Sequence, residues 1–431
     1  MLDNVASIAL SNLCTGCGTC SGVCPVDAIE MRILDGVFLP TISSEKCIKC
    51  RFCIRCCPVY SLDLPKLNCD IFGRQPEDVF LGNYIKCFIG NSNDNIIRFD
   101  SSSGGIITTL LIYALEKGII DGVLLTRMRK TRPLEPEPFI AKSRAEIVSA
   151  SKSKYCPVPL NQALKEILAK EGRFAVVGLP CHIIGIRKAE AIFKELKQKI
   201  VLHVGLFCGH TVNFFGTDVI LSKLGVRKED VISIDYRGKG WPGSMHIRVK
   251  DGRELVVQFY RGWNAYWNIF SPCFFTPWCC LMCEDQFNEL ADVSVGDAWL
   301  PGLVERGLGK SVIIVRTAVA ENLFKNVENN GILSVKFISP SLVKQSQAFS
   351  LKFKKEQLSG RLSFFRLLGK RTTNIKTKHD FHHFLDIIGA FLPYVSYVLS
   401  SKRCFRSWLK WVPLPLFRLY FGLFRVLFYL S

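Results

Sequence analysis

The chain has 431 residues, with 56 Lys or Arg against 37 Asp or Glu and a formal net charge of +19. This length predicts two or three domains, and a hydrophobic share of 48% is sufficient for their cores. The positive charge favours acidic partners, but we find no helix-turn-helix, zinc-finger or RNA-binding motif, so we expect no nucleic acid partner.

Residues 1–65 contain the cysteine pattern C-x2-C-x2-C-x3-C-P twice. The two copies are Cys14, Cys17, Cys20 and Cys24, and Cys47, Cys50, Cys53 and Cys57. This is the spacing of bacterial ferredoxins with two [4Fe–4S] clusters, in which the fourth Cys of each run ligates the other cluster. The pattern therefore predicts one cluster on Cys14, Cys17, Cys20 and Cys57, and a second on Cys47, Cys50, Cys53 and Cys24. A zinc site needs only four thiolates, so it does not account for two full runs.

After a polar linker at 66–82, a larger domain at 83–340 is predicted. It opens with Ser102, Ser103, Gly104 and Gly105 before an apolar helix that begins near Ile106. A helix N-terminus presents free amide groups and suits a phosphate, but serine is also a common helix cap. The spacing leaves both interpretations open.

Strands and helices then alternate as far as about residue 224, which predicts an α/β sheet. A proline-rich stretch at 133–138 is predicted to be a loop. Cys181 and Cys208 each follow a strand, where such sheets place their sites. Between 231 and 260 the pattern changes to short strands, and Asp251-Gly252 indicates a β-hairpin.

A third cluster is suggested by four further thiols. Cys280 and Cys283 form a C-x2-C pair, and with Cys181 and Cys208 they supply the four thiolates that a [4Fe–4S] cluster needs. Spacing alone does not bring these three remote segments together. Cys279 competes with Cys280 for one position.

The C-terminal part is predicted as a basic linker at 341–380 and an amphipathic tail at 381–431. Neither apolar stretch of the tail provides the roughly 20 residues of a spanning helix. Arg418 and Arg425 on an otherwise apolar helix indicate membrane contact in the interface, and packing on the protein's own core or on a partner is the alternative. No secretory signal follows Met1, so we expect a cytoplasmic protein, with the inner face of the membrane as an open location.

Several motifs in order give the sequence a family resemblance. They are Ser102-x-Gly104-Gly105, Ser153-Lys154-Tyr155, Gly178-x-Pro180-Cys181, Cys208-Gly209-His210, Tyr236-Arg237-Gly238, Cys280-x2-Cys283 and the segment Ala291 to Asp297. Together they resemble the beta subunit of coenzyme F420 hydrogenase/dehydrogenase, a family that includes the plant enzyme 7-hydroxymethyl chlorophyll a reductase. The resemblance covers about residues 80–340 and the ferredoxin-type module that many members carry.

The resemblance implies an α+β chain in which a two-cluster ferredoxin module precedes an α/β flavin-binding domain with β-hairpin insertions. FAD would be lined by the turn from Ser102 to Gly105 and by Ser153, Lys154 and Tyr155. Cys181, Cys208, Cys280 and Cys283 would ligate the third cluster. Lys154, Arg237 and Lys239 are candidates for binding anionic groups, and His210 and Trp241 are candidates to lie near the flavin ring.

The expected function is an oxidoreductase that passes electrons between [4Fe–4S] clusters and FAD and exchanges hydride with coenzyme F420 or a related acceptor. Its expected partners are ferredoxin or a partner redox subunit, together with a deazaflavin or another hydride acceptor. Two alternatives stay open. One is a non-catalytic electron-transfer subunit, and the other is a bacterial relative that acts on another substrate, for example in polysaccharide metabolism.

Overall fold

A computed structural model describes residues 4–260, 262–303, 307–373 and 384–430. The N-terminal module has three short helices, Ala6–Leu10, Thr19–Gly22 and Phe52–Arg55, and two antiparallel strands, β1 (Ile29–Leu34) and β2 (Val37–Ile42). Its small core combines Val5, Ile8 and Ile54 with the thiols of Cys20, Cys53 and Cys57. The cysteines therefore take the place of much of the apolar interior of this module.

Part of the segment predicted as a linker is a helix, Leu64–Phe72. Asp63 caps it by accepting a hydrogen bond from the Lys66 amide, and Gly73 ends it with a φ of +71°. Its apolar side packs on the core of the larger domain. The segment therefore attaches the module to the rest of the chain.

Eleven further strands follow in the described part of the chain. They are β3 (Lys86–Ser92), β4 (Gly122–Met128), β5 (Pro136–Ala141), β6 (Phe174–Gly178), β7 (Ile200–Leu206), β8 (Val231–Asp235), β9 (Ser244–Val249), β10 (Glu254–Gln258), β11 (Val293–Asp297), β12 (Ser311–Val315) and β13 (Leu333–Phe337). Eight of them form one sheet in the order β13-β3-β12-β11-β7-β6-β4-β5. The four strands β11, β7, β6 and β4 are parallel, and the outer pairings are antiparallel. The predicted α/β sheet is confirmed.

The prediction of a loop at 133–138 is wrong, because β5 begins at Pro136 and pairs with β4. Proline removes one ladder hydrogen bond and is therefore tolerated mainly at sheet edges. β5 is an edge strand of the sheet, so its two prolines, Pro136 and Pro138, do not prevent pairing.

Helices cover both faces of the sheet. They are Asn95–Asp100, Ile106–Glu116, Arg144–Ser149, Leu164–Leu168, Pro180–Glu190, Lys194–Lys199 and Ala318–Asn329, with a 3₁₀ turn at Leu160–Ala163. The helices Phe214–Lys223 and Trp267–Phe270 pack instead with β8, β9 and β10, and further 3₁₀ turns lie at Lys228–Asp230 and Trp278–Met282. Val123 and Leu125 face one core and Leu124 faces the other, as the two-residue period of a strand requires. The remaining strands, β8, β9 and β10, form a separate antiparallel sheet, and the hairpin predicted at Asp251-Gly252 is confirmed.

The segment 341–373 is not an extended linker. It forms the helices Pro340–Ser346, Ala348–Leu351 and Leu358–Leu367 and a π-helical turn at Lys352–Glu356, while 374–380 lie outside the described residues. The described tail consists of the helices Phe384–Ser401, Arg403–Leu409 and Leu414–Leu430. Four phenylalanines of the last helix are buried against the rest of the protein. For this face of the helix, the alternative prediction that the tail packs on the protein's own core is confirmed.

No single helix among the described residues is long and apolar enough to cross a bilayer. The helices Arg403–Leu409 and Leu414–Tyr429 reach that length and composition only together, across a bend of 112°.

Candidate functional site

A cavity of about 600 Å³ opens at the carboxyl ends of all four parallel strands. Its wall includes Thr126 in the last part of β4, Gly178 at the end of β6, Phe207 directly after β7 and Asp297 at the end of β11. Ligands of open α/β sheets bind at this edge, because the strand ends and the loops that follow them converge there. The volume lies within the usual range of small-molecule sites.

The predicted serine and glycine turn lies in the wall of this cavity. Ser102, Ser103 and Gly105 line it, whereas Gly104 packs behind them against the sheet. The helix Ile106–Glu116 begins at Gly105, which has a φ of +75°, and no side chain caps its first turn. The alternative in which serine caps this helix is therefore wrong. The uncapped amides and the positive end of the helix dipole are suited to a phosphate.

The segment Ser153 to Tyr155, also predicted to line FAD, contacts the serine and glycine turn directly. The Ser153 amide donates a hydrogen bond of 2.8 Å to Ser102 Oγ. Ser153, Lys154 and Tyr155 all line the cavity. Lys154 Nζ donates to the carbonyl oxygens of Ala150 and Ser151 at 2.5 and 2.7 Å, and burial lowers the pKa of Lys154 to about 8. Lys154 thus brings one positive charge to the wall while holding the loop in shape.

Arg237 has a structural partner that the sequence does not reveal. Its guanidinium binds both carboxylate oxygens of Asp297, at 2.7 and 3.2 Å, and stacks 4.3 Å from the Phe259 ring centroid. Burial disfavours the charge, but Asp297 outweighs burial and raises the pKa of Arg237 above its usual value. Arg237 therefore supports the cavity wall more than it offers charge to a ligand. Lys239 pairs with Glu254 at 2.8 Å and does not line the cavity.

Of the two candidates near the flavin ring, only His210 lines the cavity. Its Nε2 lies 3.0 Å from the carbonyl oxygen of Phe270, which can only accept, so Nε2 carries the proton. Burial lowers the pKa of His210 to about 4, and the ring is neutral at pH 7. Trp241 lies one layer behind, 4.8 Å from Trp299 between ring centroids, and Trp299 forms part of the wall.

The cysteines of the N-terminal module fall into the two predicted groups. Burial raises the pKa of Cys14 to about 12, and the nearby thiols of Cys17 and Cys57 add to the rise. Burial also raises the pKa of Cys20, and the thiols of Cys17, Cys14 and Cys57 add more to the rise than Cys53 of the other group does. Cys24, Cys47, Cys50 and Cys53 together line a second, smaller cavity. The fourth cysteine of each run thus lies with the first three of the other, as the spacing predicts.

The structure also brings the four remote cysteines together. Burial raises the pKa of Cys181 well above its usual value, and the thiols of Cys17, Cys208, Cys280 and Cys283 contribute to the rise. Burial raises the pKa of Cys208, the thiols of Cys280 and Cys283 add to the rise, and Cys208 lines the large cavity. The strand order places the ends of β6 and β7 side by side, which accounts for the meeting of Cys181 and Cys208.

Cys279 and Cys280 point to different neighbours. The adjacent Cys279 thiol lowers the pKa of Cys280 to about 7, even though burial opposes this. Cys279 Sγ also lies 3.3 Å from the carbonyl oxygen of Cys14 in the N-terminal module. Both thiols lie near Cys181, but of the two only Cys280 also affects the pKa of Cys208. Cys279 connects these thiols to the N-terminal module through its contact with Cys14.

Two basic residues beside this group were missed by the sequence, because they fall in the segment predicted as a linker. Lys354 is buried, and its Nζ lies 3.3 Å from Cys283 Sγ. Burial disfavours its charge, but the thiols of Cys283 and Cys208 raise the pKa of Lys354 above its usual value. Arg361 is also buried and donates to the carbonyl oxygen of Leu281 at 2.6 Å. The basic pattern of this segment gave no signal of burial.

These thiol groups differ from a site for a single ion. Among the described residues, no three His, Cys, Asp or Glu side chains come close enough to hold one metal ion. A [4Fe–4S] cluster places each thiolate on a different iron, so its ligands surround a larger body than a single ion does. Each of the three groups has four thiols, the number of ligands that a [4Fe–4S] cluster takes.

Three family models match the chain. The model of the "4Fe-4S dicluster domain" matches residues 13–64. Two models describe the "Coenzyme F420 hydrogenase/dehydrogenase, beta subunit": the one for its N-terminal part matches residues 87–165, and the one for its C terminus matches residues 171–341. These two models cover nearly all of the sheet, most of the cavity wall and the four remote cysteines.

Individual relatives agree with these matches. An F(420)H(2) dehydrogenase subunit of Methanosarcina mazei is 28% identical over 76% of this chain and 86% of its own length. The coenzyme F420 hydrogenase subunit beta of Methanothermobacter thermautotrophicus is 30% identical over 59% and 85%. The coenzyme F420-dependent sulfite reductase of Methanocaldococcus jannaschii is 28% identical over 74% of this chain but 46% of its own.

A solved structure shares the fold. It is a chain of the xenon-derivatised F420-reducing [NiFe] hydrogenase complex from Methanosarcina barkeri, with a TM-score of 0.52 and 24% identity. The similarity covers 67% of this chain and 96% of the other. The ordered motifs, the sheet that unites them and the matched models lead to one conclusion: the chain belongs to the coenzyme F420 hydrogenase/dehydrogenase beta subunit family and carries a 4Fe-4S dicluster domain at its N-terminal end.

Proposed function

We propose that the protein is an iron–sulfur flavoprotein oxidoreductase. Electrons pass between the two N-terminal [4Fe–4S] clusters and FAD in the large cavity. A third cluster between them is held by Cys181, Cys208, Cys280 and Cys283. At the flavin, hydride is exchanged with coenzyme F420 or a related acceptor. The observation that supports this most directly is the order of the three thiol groups, which runs from the surface of the N-terminal module to the cavity wall.

The order follows from the exposure and neighbours of the cysteines. The group of Cys24, Cys47, Cys50 and Cys53 is the outer one, because the residues between its cysteines, Ile48 and Lys49, are exposed to solvent. Cys17 of the next group is close enough to Cys181 to raise its pKa, and Cys208 lines the cavity. Lys46 and Lys49 are exposed beside the outer group, which suits an acidic redox partner such as a ferredoxin or a partner subunit.

The cavity residues fit FAD. The uncapped first turn of helix Ile106–Glu116 suits a pyrophosphate. Lys154 Nζ donates to three backbone carbonyl oxygens, so it would favour the anion through its charge and not through a hydrogen bond. The aromatic rings of Phe259 and Trp267 exclude water from the wall. The neutral His210 adds no charge to the cavity. Bound FAD would supply the exchange between single electrons and a hydride, which the side chains cannot perform.

Anoxic purification of the full chain tests the proposal. We expect about one FAD and about twelve iron atoms per chain, from three clusters of four irons each. FAD is measured by fluorescence after acid release, and iron by a colorimetric assay. A preparation reconstituted with iron and sulfide that binds no FAD would refute the flavoprotein assignment.

Neighbouring cysteines provide a matched pair for the third cluster. Cys280→Ser should lower the iron content by about four atoms per chain. Cys279→Ser, which makes the same change one residue away, should retain all the iron. Equal iron loss in both variants, or loss only in Cys279→Ser, would contradict the assignment of Cys280.

A carboxylate at the start of the cavity helix tests the phosphate site. Ile107→Asp places a negative charge in the first turn, where it favours the helix dipole and opposes a phosphate. We expect this variant to fold and to lose FAD. Val319→Asp is the control, because Val319 holds the same position in the helix Ala318–Asn329 and is 56% exposed. FAD retention in Ile107→Asp would place the pyrophosphate elsewhere.

Relatives named as subunits favour the alternative of an electron-transfer subunit that needs a partner for turnover. The isolated chain should be tested with reduced viologen and either coenzyme F420 or a nicotinamide as acceptor. Reduction of F420 would exclude the non-catalytic alternative. Binding of FAD without reduction of either acceptor would favour that alternative, or a relative that acts on another substrate.

A further inference from the structure

The helix Leu414–Leu430 has two apolar faces. The inner face carries Phe417, Phe421, Phe424 and Phe428, all buried. The outer face carries Leu416, Leu419, Leu423 and Val426, which are 51%, 58%, 52% and 59% exposed. At 3.6 residues per turn these two sets lie on opposite sides of the helix. Packing on the protein explains the inner face and leaves the outer one open to solvent.

Aromatic and basic residues adjoin the outer face. Trp408 and Trp411, just before this helix, are 57% and 85% exposed. Lys402, Arg403 and Lys410 are exposed in the same segment, and Arg425 is exposed on the helix itself. Tryptophan favours the boundary between the lipid and water, and Lys and Arg are attracted to anionic headgroups. An apolar stripe with this border is typical of a helix that lies in a membrane interface.

We propose that the outer face of helix Leu414–Leu430 binds the surface of an anionic lipid bilayer, with the helix lying in the plane of the membrane. The inner phenylalanines remain packed on the protein, so the helix does not need to leave its place. Positive charge beside the apolar stripe favours anionic lipid over a second copy of this chain, because two copies would bring like charges together.

The same helix forms part of the cavity wall, through Phe421, Phe424, Arg425 and Tyr429. Membrane binding would therefore hold the cavity about one helix diameter, roughly 10 Å, from the lipid. This inference does not depend on the proposed chemistry, because it rests only on the tail and its exposure.

Flotation of the full-length, cluster-loaded protein with vesicles tests the proposal. We expect binding to vesicles of phosphatidylcholine with 30–40% phosphatidylglycerol (about one anionic lipid in three) and much weaker binding to phosphatidylcholine alone. Raising the salt to about 0.5 M should weaken binding, because exposed charges are then screened. Equal binding to both vesicle types, or none to either, would overturn the proposal.

Two variants separate the apolar and the electrostatic parts. Leu419→Glu with Leu423→Glu should reduce vesicle binding about tenfold or more, because two apolar contacts with lipid are lost. Ile232→Glu with Val256→Glu is the control, since these residues are 50% and 57% exposed on the small sheet. Arg403→Gln with Lys410→Gln should weaken binding to anionic vesicles, whereas Lys250→Gln with Lys336→Gln should not.

Cluster absorbance and size-exclusion chromatography confirm that each variant is folded. Wild-type binding by both Leu419→Glu/Leu423→Glu and its control would overturn the proposal. So would a dimer that forms without lipid and dissociates in Leu419→Glu/Leu423→Glu, because a second copy would then cover the outer face.

Discussion

The contact between the N-terminal module and the larger domain should be very sensitive to the size of Gly22. The helix Thr19–Gly22 packs on the turn Leu160–Ala163, where the Asn161 amide donates to the Cys17 carbonyl oxygen at 2.9 Å. A methyl group on Gly22 would lie 1.9 Å from the Asn161 carbonyl oxygen, against 3.4 Å for ordinary contact, so the two backbones must separate by about 1.5 Å. Overpacking of this kind costs about 1–3 kcal/mol.

Gly22→Ala should therefore lower the midpoint of thermal unfolding by roughly 2–6 °C. It should also slow the passage of electrons from the module to the cavity, because Cys17 and Cys181 move apart. Thermal unfolding is followed by cluster absorbance under anoxic conditions, and electron transfer is followed by stopped-flow reduction with viologen. Gly422→Ala is the control, because nothing lies within 4 Å of a methyl group there. A Gly22→Ala protein that matches wild type in both measurements would refute this account of the contact.

Three further predictions concern single charges. Arg237→Met leaves Asp297 without its partner and should lower the free energy of unfolding by about 3–5 kcal/mol, measured as a lower denaturation midpoint. Adding Asp297→Asn should restore part of the lost stability, and no recovery in the double variant would contradict the pairing. Lys354→Met should lower the reduction potential of the proposed third cluster in a potentiometric titration, because a positive charge stabilises an added electron. Lys250→Met, at an exposed position after β9, should not change that potential. Burial lowers the pKa of His210 from 6.5 to about 4, so between these two pH values the unfolded chain binds more protons than the folded protein. The free energy of unfolding should therefore fall by up to about 3 kcal/mol as the pH falls through this range. The stability of His210→Gln relative to wild type should rise over the same interval, and a constant difference would contradict the shift.

Much of the larger domain could be predicted from the sequence, because its strands and helices have clear hydrophobic periods and turn residues. The edge strand from Pro136 was missed, because proline argues against a strand unless its position at the edge is known. The burial of Lys354 and Arg361 was missed for a related reason. A basic segment is usually solvated, and only the neighbouring thiols and carbonyl oxygens make burial of these two side chains favourable.

The sequence by itself determined the two ferredoxin-type cysteine groups, because ligands close along the chain are positioned by spacing and tight turns. Tertiary structure decided the rest of the site. It brought Cys181 and Cys208 together at neighbouring strand ends, turned Cys279 and Cys280 to different partners and left the first turn of the cavity helix uncapped. The physical reason is that contacts between remote segments depend on the order of strands in the sheet, and that order is set by the packing of both its faces.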